Sequence, residues 1–110
     1  MVVEDDSLVA KSLEQALGAL GASVTTFCSA EEALVSDSSL GAELYISDFR
    51  LPGALNGMQF LAVMQQRSAA PINAVLMTGD TALNQTELSA SSRWKVLFKP
   101  IDLRALLAAI

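Results

Sequence analysis

Short apolar runs alternate with longer segments of helical periodicity along the whole chain. Five of the runs read as strands, and they cover residues 2–3, 24–27, 44–46, 72–77 and 96–98. Because these runs are continuously apolar instead of alternating with polar residues, they are typical of a parallel sheet that is buried on both faces. The hydrophobic pattern therefore predicts an α/β fold, a doubly wound five-stranded parallel sheet with helices on both faces.

Helices are predicted after each strand, where apolar residues recur three and four positions apart. They cover residues 8–20, 30–35, 58–67, 81–92 and 103–110. The helix over 81–92 is the weakest of them, because this segment is rich in Ser and Thr and has few apolar anchors. Ser7, Ser29 and Asp102 precede helical segments and are predicted N-caps. The proline and glycines within 49–57 exclude regular structure there.

The composition indicates one folded domain. The chain has 110 residues, of which 52% are hydrophobic and 17% are charged, so it can bury a core and intrinsic disorder is excluded. No linker, repeat or low-complexity tract divides residues 1–110, and we expect a single domain that is truncated at both ends, inside the first strand and inside the last helix. No apolar run is long enough to insert into a membrane. The single cysteine, Cys28, excludes an internal disulfide, and we expect a cytoplasmic location.

The charged and titratable residues narrow the chemistry. The chain contains no histidine, which excludes a Ser-His-Asp triad, a histidine-ligated zinc site and a phosphohistidine. A pI near 4.4 argues against direct nucleic-acid binding. Residues 1–49 carry nine acids and one base, whereas residues 50–110 carry three acids and six bases. This imbalance reflects either ordinary solvated faces or an acidic site in the first half of the chain that a basic residue from the second half neutralises.

Acidic and polar residues follow four of the predicted strands. In chain order they are Glu4, Asp5, Asp6, Asp48, Thr78 and Lys99. Ligands of open parallel sheets bind at the carboxyl ends of the strands, so these side chains are predicted to converge on one edge. Clustered carboxylates repel one another unless a cation lies between them, and Mg²⁺ prefers such oxygen ligands. Taken singly, each residue also fits a solvated loop, a turn or the surface.

The same set of residue types suits phosphoryl transfer. A carboxylate can act as the nucleophile and form an acyl phosphate. The transferred group carries negative charge on three oxygens, which a cation, an ammonium and a hydroxyl can each contact. None of these steps needs a histidine within the chain.

In its motifs the sequence resembles the receiver domains of two-component response regulators. The motifs are Val-Val-Glu-Asp-Asp at 2–6, Asp48 to Gly53, Asn56-Gly57, Met77-Thr78-Gly79 and Phe98-Lys99-Pro100. Each motif alone is weak, but their order and spacing are specific, and together they span essentially the whole chain. The resemblance implies the flavodoxin-like fold with strand order 2-1-3-4-5.

The resemblance also implies roles for individual residues. Asp48 would be the phosphoacceptor, Thr78 would bond a phosphoryl oxygen and act as a switch, and Lys99 would pair with the phosphoryl group. The implied Mg²⁺ ligands are Glu4 (acting through water), Asp5, Asp48 and the backbone carbonyl of Arg50. The bond before Pro100 is expected to be cis, as in the family.

Two positions depart from the family pattern. Receiver domains often have an aromatic switch residue three positions before the lysine, and here that position is Val96. Gly79 follows Thr78 where many members have alanine, which should loosen this loop. Thr78 and Val96 are therefore the expected switch positions, with an aliphatic side chain at Val96 in place of the usual aromatic one.

The resemblance implies a partner that donates a phosphoryl group, either a histidine kinase or a histidine phosphotransfer domain. The domain would catalyse its own phosphorylation and dephosphorylation and would not act on external substrates. It is similar to receivers fused to hybrid sensor histidine kinases, and a stand-alone regulator is the alternative setting. Two other functions stay open at this stage. One is a pseudo-receiver that acts only as a protein interaction module, and the other is a metal-dependent phosphatase for a small substrate.

Overall fold

The computed structural model describes residues 1–36, 42–79, 94–99 and 102–109. Its elements are β1 (Val2–Val3), α1 (Ser7–Ala19), β2 (Thr26–Phe27), α2 (Ala30–Leu34), β3 (Tyr45–Asp48), α3 (Gly57–Arg67), β4 (Ala74–Thr78), β5 (Lys95–Phe98) and α4 (Leu103–Ala109). The five strands form one sheet in the order β2-β1-β3-β4-β5, and every neighbouring pair is parallel. This confirms the predicted flavodoxin-like topology. The helix predicted over 81–92 and the bond before Pro100 lie outside the described residues.

The two faces of the sheet are covered by different helices. One apolar cluster joins the sheet to α1 and α4, and its buried members are Val2, Leu13, Leu17, Ile46, Val75, Met77 and Leu106. The other joins the sheet to α2 and α3, and its buried members are Val3, Ala30, Ala33, Tyr45, Phe60, Leu61, Met64, Ala74 and Leu76. Because successive strand residues face opposite sides, each central strand contributes to both clusters. This explains why the strand segments are continuously apolar.

Two of the predicted helix starts agree with the structure. The Ser29 hydroxyl accepts a hydrogen bond from the amide of Glu32 at 3.1 Å, which caps α2. The Asp102 carboxylate accepts one from the amide of Arg104 at 2.8 Å at the start of α4. None of the helices in the described part of the chain is long and apolar enough to cross a bilayer.

Other predicted boundaries were wrong by a few residues. Ser7 is not the cap of α1, because the Asp6 carboxylate accepts from the amides of Leu8 and Val9 and Ser7 is the first helical residue. The strands predicted to begin at Val24 and Ile72 instead begin two residues later. The side chains of Val24 and Ile72 pack against the apolar clusters before the ladder starts, so their hydrophobicity reports burial and not strand pairing.

Strand register aligns the polar residues that end the strands. Val3 pairs with Ser47, so Glu4 and Asp48 follow at neighbouring positions. Asp48 pairs with Met77, and Thr78 pairs with Phe98, the residue before Lys99. The register therefore brings the polar residues from four different parts of the chain to one edge of the sheet.

Candidate functional site

Three carboxylates form a cluster at the carboxyl edge of the sheet. Glu4 and Asp48 are buried and Asp5 is exposed. Oxygen atoms of the three side chains all lie within 4.8 Å of one another. The cluster thus has one exposed side, toward solvent at Asp5, and a buried floor formed by the ends of β1 and β3.

Lys99 lies directly against two of these carboxylates. Its Nζ atom donates a hydrogen bond to Glu4 Oε2 at 2.8 Å and lies 3.3 Å from Asp48 Oδ2. The side chain of Glu4 has no exposed surface, whereas that of Lys99 is 23% exposed. Lys99 is therefore the counter-ion that makes burial of two carboxylates tolerable.

The other oxygen of Glu4 is also used. Glu4 Oε1 accepts a hydrogen bond from the amide of Asp6 at 3.0 Å, so both carboxylate oxygens have partners. The sequence predicted only that Glu4 lies near the implied metal. The structure shows that hydrogen bonds from Lys99 and from the amide of Asp6 fix the orientation of its carboxylate. The contact also ties the cluster to the start of α1, because Asp6 caps that helix.

Burial and charge shift the ionisation of all three buried or half-buried groups. Burial raises the pKa of Glu4, and its hydrogen bond from Lys99 opposes this shift without cancelling it. Burial also raises the pKa of Asp48, with the positive charge of Lys99 acting in the opposite direction. Burial alone would lower the pKa of Lys99, but its contacts with Glu4 and Asp48 outweigh burial and the pKa is raised. Lys99 therefore stays an ammonium near neutral pH.

A cleft opens beside the carboxylate cluster. It is lined by Asp48, Arg50, Thr78, Gly79 and Lys99. The structure thus brings together on one surface the predicted acceptor, the predicted hydroxyl and the predicted ammonium. Thr78 is only 1% exposed, so its side chain is almost fully buried at this edge.

Val96 lies apart from this arrangement. It pairs with Leu76 in the sheet and packs, half-buried, against the apolar cluster that includes α2 and α3. An aliphatic side chain in this position contributes to the core and has no polar atom to offer the cleft. Val96 is not one of the described residues that line the cleft.

Sequence reasoning missed the packing role of Gly57, which it used as a breaker of regular structure and as part of a receiver motif. Gly57 begins α3, and a Cβ atom on it would overlap the carbonyl oxygen of Asp48 and lie 2.9 Å from Ser47 Oγ. The amide of Gly57 donates to the carbonyl of Phe49 at 2.8 Å. Asn56 caps α3 in a reciprocal pair with Gln59, which orients this close approach. The Asn-Gly dipeptide was the available signal.

Substituting Gly57 with alanine is expected to destabilise the domain by about 2 kcal/mol, because the added methyl group forces α3 away from the Asp48 backbone. Urea denaturation followed by circular dichroism measures the change. The matched control is Gly18→Ala in α1, where an added Cβ meets no atom within 4 Å. That substitution should stabilise the domain by about 0.5–1 kcal/mol through helix propensity. Equal effects of the two substitutions would contradict the packing role of Gly57.

Comparison with known proteins finds a match over the whole chain. The family model for the response regulator receiver domain matches residues 1–110. The DNA-binding transcriptional regulator NtrC of Salmonella typhimurium is 32% identical over 111 residues, which is 99% of this chain and 23% of that protein. NtrC of Escherichia coli strain K12 has the same identity and coverage. The chain therefore spans about a quarter of the length of these relatives.

Solved structures agree with the sequence matches. The BeF3-activated receiver domain of nitrogen regulatory protein C superposes with a TM-score of 0.74 and 30% identity, covering 97% of this chain and 86% of that domain. The signal receiver domain of an HD domain-containing protein from Pseudomonas fluorescens Pf-5 superposes with a TM-score of 0.82 and 27% identity. That match covers 98% of this chain and 86% of the other.

Proposed function

Because this chain belongs to the response regulator receiver domain family, we propose that it accepts a phosphoryl group on Asp48 as part of a two-component phosphorelay. The observation that carries the proposal is the position of the Asp48 carboxylate, 3.3 Å from the Lys99 ammonium and on the wall of a cleft shared with Thr78. A buried carboxylate that faces a cleft beside a fixed cation is poised to act as a nucleophile.

The transfer step forms one bond and breaks one. An oxygen of Asp48 attacks phosphorus of a phosphohistidine, the new P–O bond gives an acyl phosphate, and the P–N bond to the imidazole breaks. The imidazole leaves with the electron pair of that bond. Since the chain has no histidine, the donor is another protein or domain, either a histidine kinase or a histidine phosphotransfer domain.

Lys99 and Thr78 supply charge and hydrogen bonding in this scheme. The Lys99 ammonium is already held at the acceptor by Glu4, so it offsets negative charge on the transferred group without moving far. Thr78 lines the same cleft, and its hydroxyl is the group that would donate a hydrogen bond to a phosphoryl oxygen. Thr78 ends β4, the strand next to β3, and Lys99 follows β5, the strand beyond β4, so the sheet fixes the spacing of the two groups.

The residues of the acidic cluster suit Mg²⁺. One ammonium faces three carboxylates, so the cluster retains negative charge, and its donors are the hard oxygens that Mg²⁺ prefers. Glu4, Asp5, Asp48 and the backbone carbonyl of Arg50 are the groups that would hold the ion. When bound, Mg²⁺ supplies positive charge to the carboxylates and to the phosphoryl oxygens.

Phosphorylation would signal by shifting the domain between two conformations. The acyl phosphate adds strong negative charge at a largely buried position, and Thr78 is the residue placed to respond to it. We propose a cytoplasmic domain fused to, or paired with, a kinase or an output module. The DNA-binding activity in the name of NtrC belongs to proteins about four times the length of this chain.

A pseudo-receiver that acts only by protein interaction is the second candidate. The observation in its favour is Val96, an aliphatic residue packed in the core at the position of the usual aromatic switch. A pseudo-receiver would bind its partners without phosphorylation of Asp48. The two functions differ in whether the cluster binds Mg²⁺ and takes up phosphate.

A small-molecule phosphodonor provides the test. Incubation with the donor and Mg²⁺ is expected to add about 80 Da to the intact mass of the chain, the mass of one phosphoryl group. Chelation of Mg²⁺ with EDTA before the donor is added should prevent the increase. Absence of both the adduct and Mg²⁺ binding in calorimetric titration would instead support the interaction module.

A further inference from the structure

Glu31 joins α2 to the loop that follows the proposed phosphoacceptor. Its Oε1 atom accepts hydrogen bonds from the amides of Ala54 and Leu55, at 2.9 and 3.0 Å. These partners lie more than twenty residues along the chain, between β3 and α3. A single carboxylate oxygen therefore holds two consecutive amides of an otherwise irregular segment.

The loop backbone is shaped around this carboxylate. Gly53 has a φ of +92°, and a Cβ on it would lie 2.7 Å from Glu31 Oε2. Only glycine combines that backbone conformation with so close an approach. Hydrogen bonds from the amides of Glu31 itself and of Leu55 lower the pKa of Glu31, so the group is ionised at neutral pH.

The same loop forms one side of the proposed phosphorylation site. It begins immediately after Asp48, and its residue Arg50 lines the cleft. Its ends are fixed by the hydrogen bond from the Gly57 amide to the carbonyl of Phe49. Between these ends, the contact with Glu31 gives the loop backbone a polar tie to α2, in addition to the packing of Leu51 and Leu55 against the apolar cluster.

We propose that Glu31 is a positioning residue for the phosphorylation site. By holding residues 53–55 it fixes the loop that carries Arg50, so that the cleft wall and the Arg50 carbonyl are in place before a ligand binds. This inference rests on the proposed function of Asp48 and deepens it. Among the residues that the structure describes, Glu31 belongs neither to the carboxylate cluster nor to the lining of the cleft, so its proposed effect on the site passes through the loop.

Glu32 provides the matched control. It lies in the same first turn of α2 and has the same side chain, but it is exposed and the loop amides bond to Glu31. Glu31→Gln provides the conservative variant, because its amide oxygen can still accept from Ala54 and Leu55. Glu31→Ala removes the acceptor altogether.

The experiment measures loop order, metal binding and phosphorylation in the same variants. In Glu31→Ala, amide hydrogen exchange at Ala54 and Leu55 should be at least about tenfold faster than in the wild type. Its Mg²⁺ affinity by calorimetry and its rate of adduct formation should both fall by about tenfold. Glu31→Gln should bring the exchange rates, the Mg²⁺ affinity and the rate of adduct formation close to their wild-type values. Glu32→Ala should match the wild type in all three. Circular dichroism checks that each variant is folded.

Several outcomes would overturn the inference. In the first, Glu31→Ala exchanges its loop amides faster but keeps the wild-type Mg²⁺ affinity and rate of adduct formation. Glu31 would then stabilise the loop without positioning the phosphorylation site. The second is failure of Glu31→Gln to rescue either value. If Glu31→Ala does not fold, Glu31→Asp tests the same contact, because the shorter side chain withdraws the carboxylate from the amides of Ala54 and Leu55 without removing its charge. A wild-type chain that neither binds Mg²⁺ nor forms the adduct would overturn the proposed function as well, which distinguishes the two failures.

Discussion

Replacing Asp48 with asparagine should abolish the increase of about 80 Da that a small-molecule phosphodonor and Mg²⁺ produce. The substitution preserves the size of the side chain and removes the nucleophilic carboxylate. The buried environment of β3 tolerates the change, because a neutral amide needs no counter-ion and Lys99 keeps its 2.8 Å contact with Glu4. Intact-mass spectrometry of the variant and the wild type under identical conditions measures the effect.

Asp6→Asn is the matched control for this substitution. Asp6 lies close to the cluster in sequence, is exposed, and caps α1 through its side-chain oxygen, which asparagine can replace. This variant should form the adduct as the wild type does. An adduct that persists in Asp48→Asn would mean that another residue accepts the phosphoryl group, and mapping of the modified peptide would identify it.

Replacing Lys99 with methionine should change two measured quantities in opposite directions. The rate of adduct formation should fall by about a hundredfold, because the transferred group loses a positioned cation. The affinity for Mg²⁺ should rise by about fivefold, because the ammonium that now contacts Glu4 and Asp48 no longer competes for the same carboxylates. Methionine preserves the apolar length of the lysine stem, so packing is largely retained.

Lys95→Met controls for loss of a positive charge from the same strand region. Lys95 is exposed at the start of β5, and the variant should leave both the adduct rate and the Mg²⁺ affinity unchanged. Without Mg²⁺, Lys99→Met should also be less stable than the wild type, because the fully buried Glu4 loses its counter-ion. A fall in Mg²⁺ affinity together with the adduct rate would contradict the competition that the geometry implies.

Much of the fold follows from local patterns. Runs of apolar residues at Val2-Val3, 44–46 and 72–77 identified buried strands, and the topology agreed with the resemblance stated for the whole chain. Errors occurred at element ends, as with Ser7 and Asp6, where both side chains are good caps and only the backbone conformation decides between them. Hydrophobicity alone also made two predicted strands begin too early. Val24 and Ile72 pack against the core without taking part in strand pairing, so their hydrophobicity did not mark the start of a strand.

The candidate site was predictable as a set of residues and not as a set of contacts. Glu4, Asp48, Thr78 and Lys99 were found because each ends or follows a strand, and the carboxyl ends of parallel strands share one edge. Which oxygen Lys99 contacts, and the fact that Glu4 also accepts from the amide of Asp6, could not be read from their order. Glu31 was missed as a site residue, because in sequence it is only an acid in the first turn of a helix.

The sequence by itself therefore determined the chemistry available to this domain. It supplies the carboxylate of the proposed acceptor Asp48, further acids, a hydroxyl and an ammonium at strand ends, and it contains no histidine. Tertiary structure alone decided how these groups meet: Lys99 between Glu4 and Asp48, Gly57 against the Asp48 backbone, and Glu31 on the loop amides. The physical reason is range. Strand and helix patterns are fixed by neighbours a few residues apart. These contacts join residues far apart in the chain, and they depend on the strand register and on how α2 and α3 pack on the sheet.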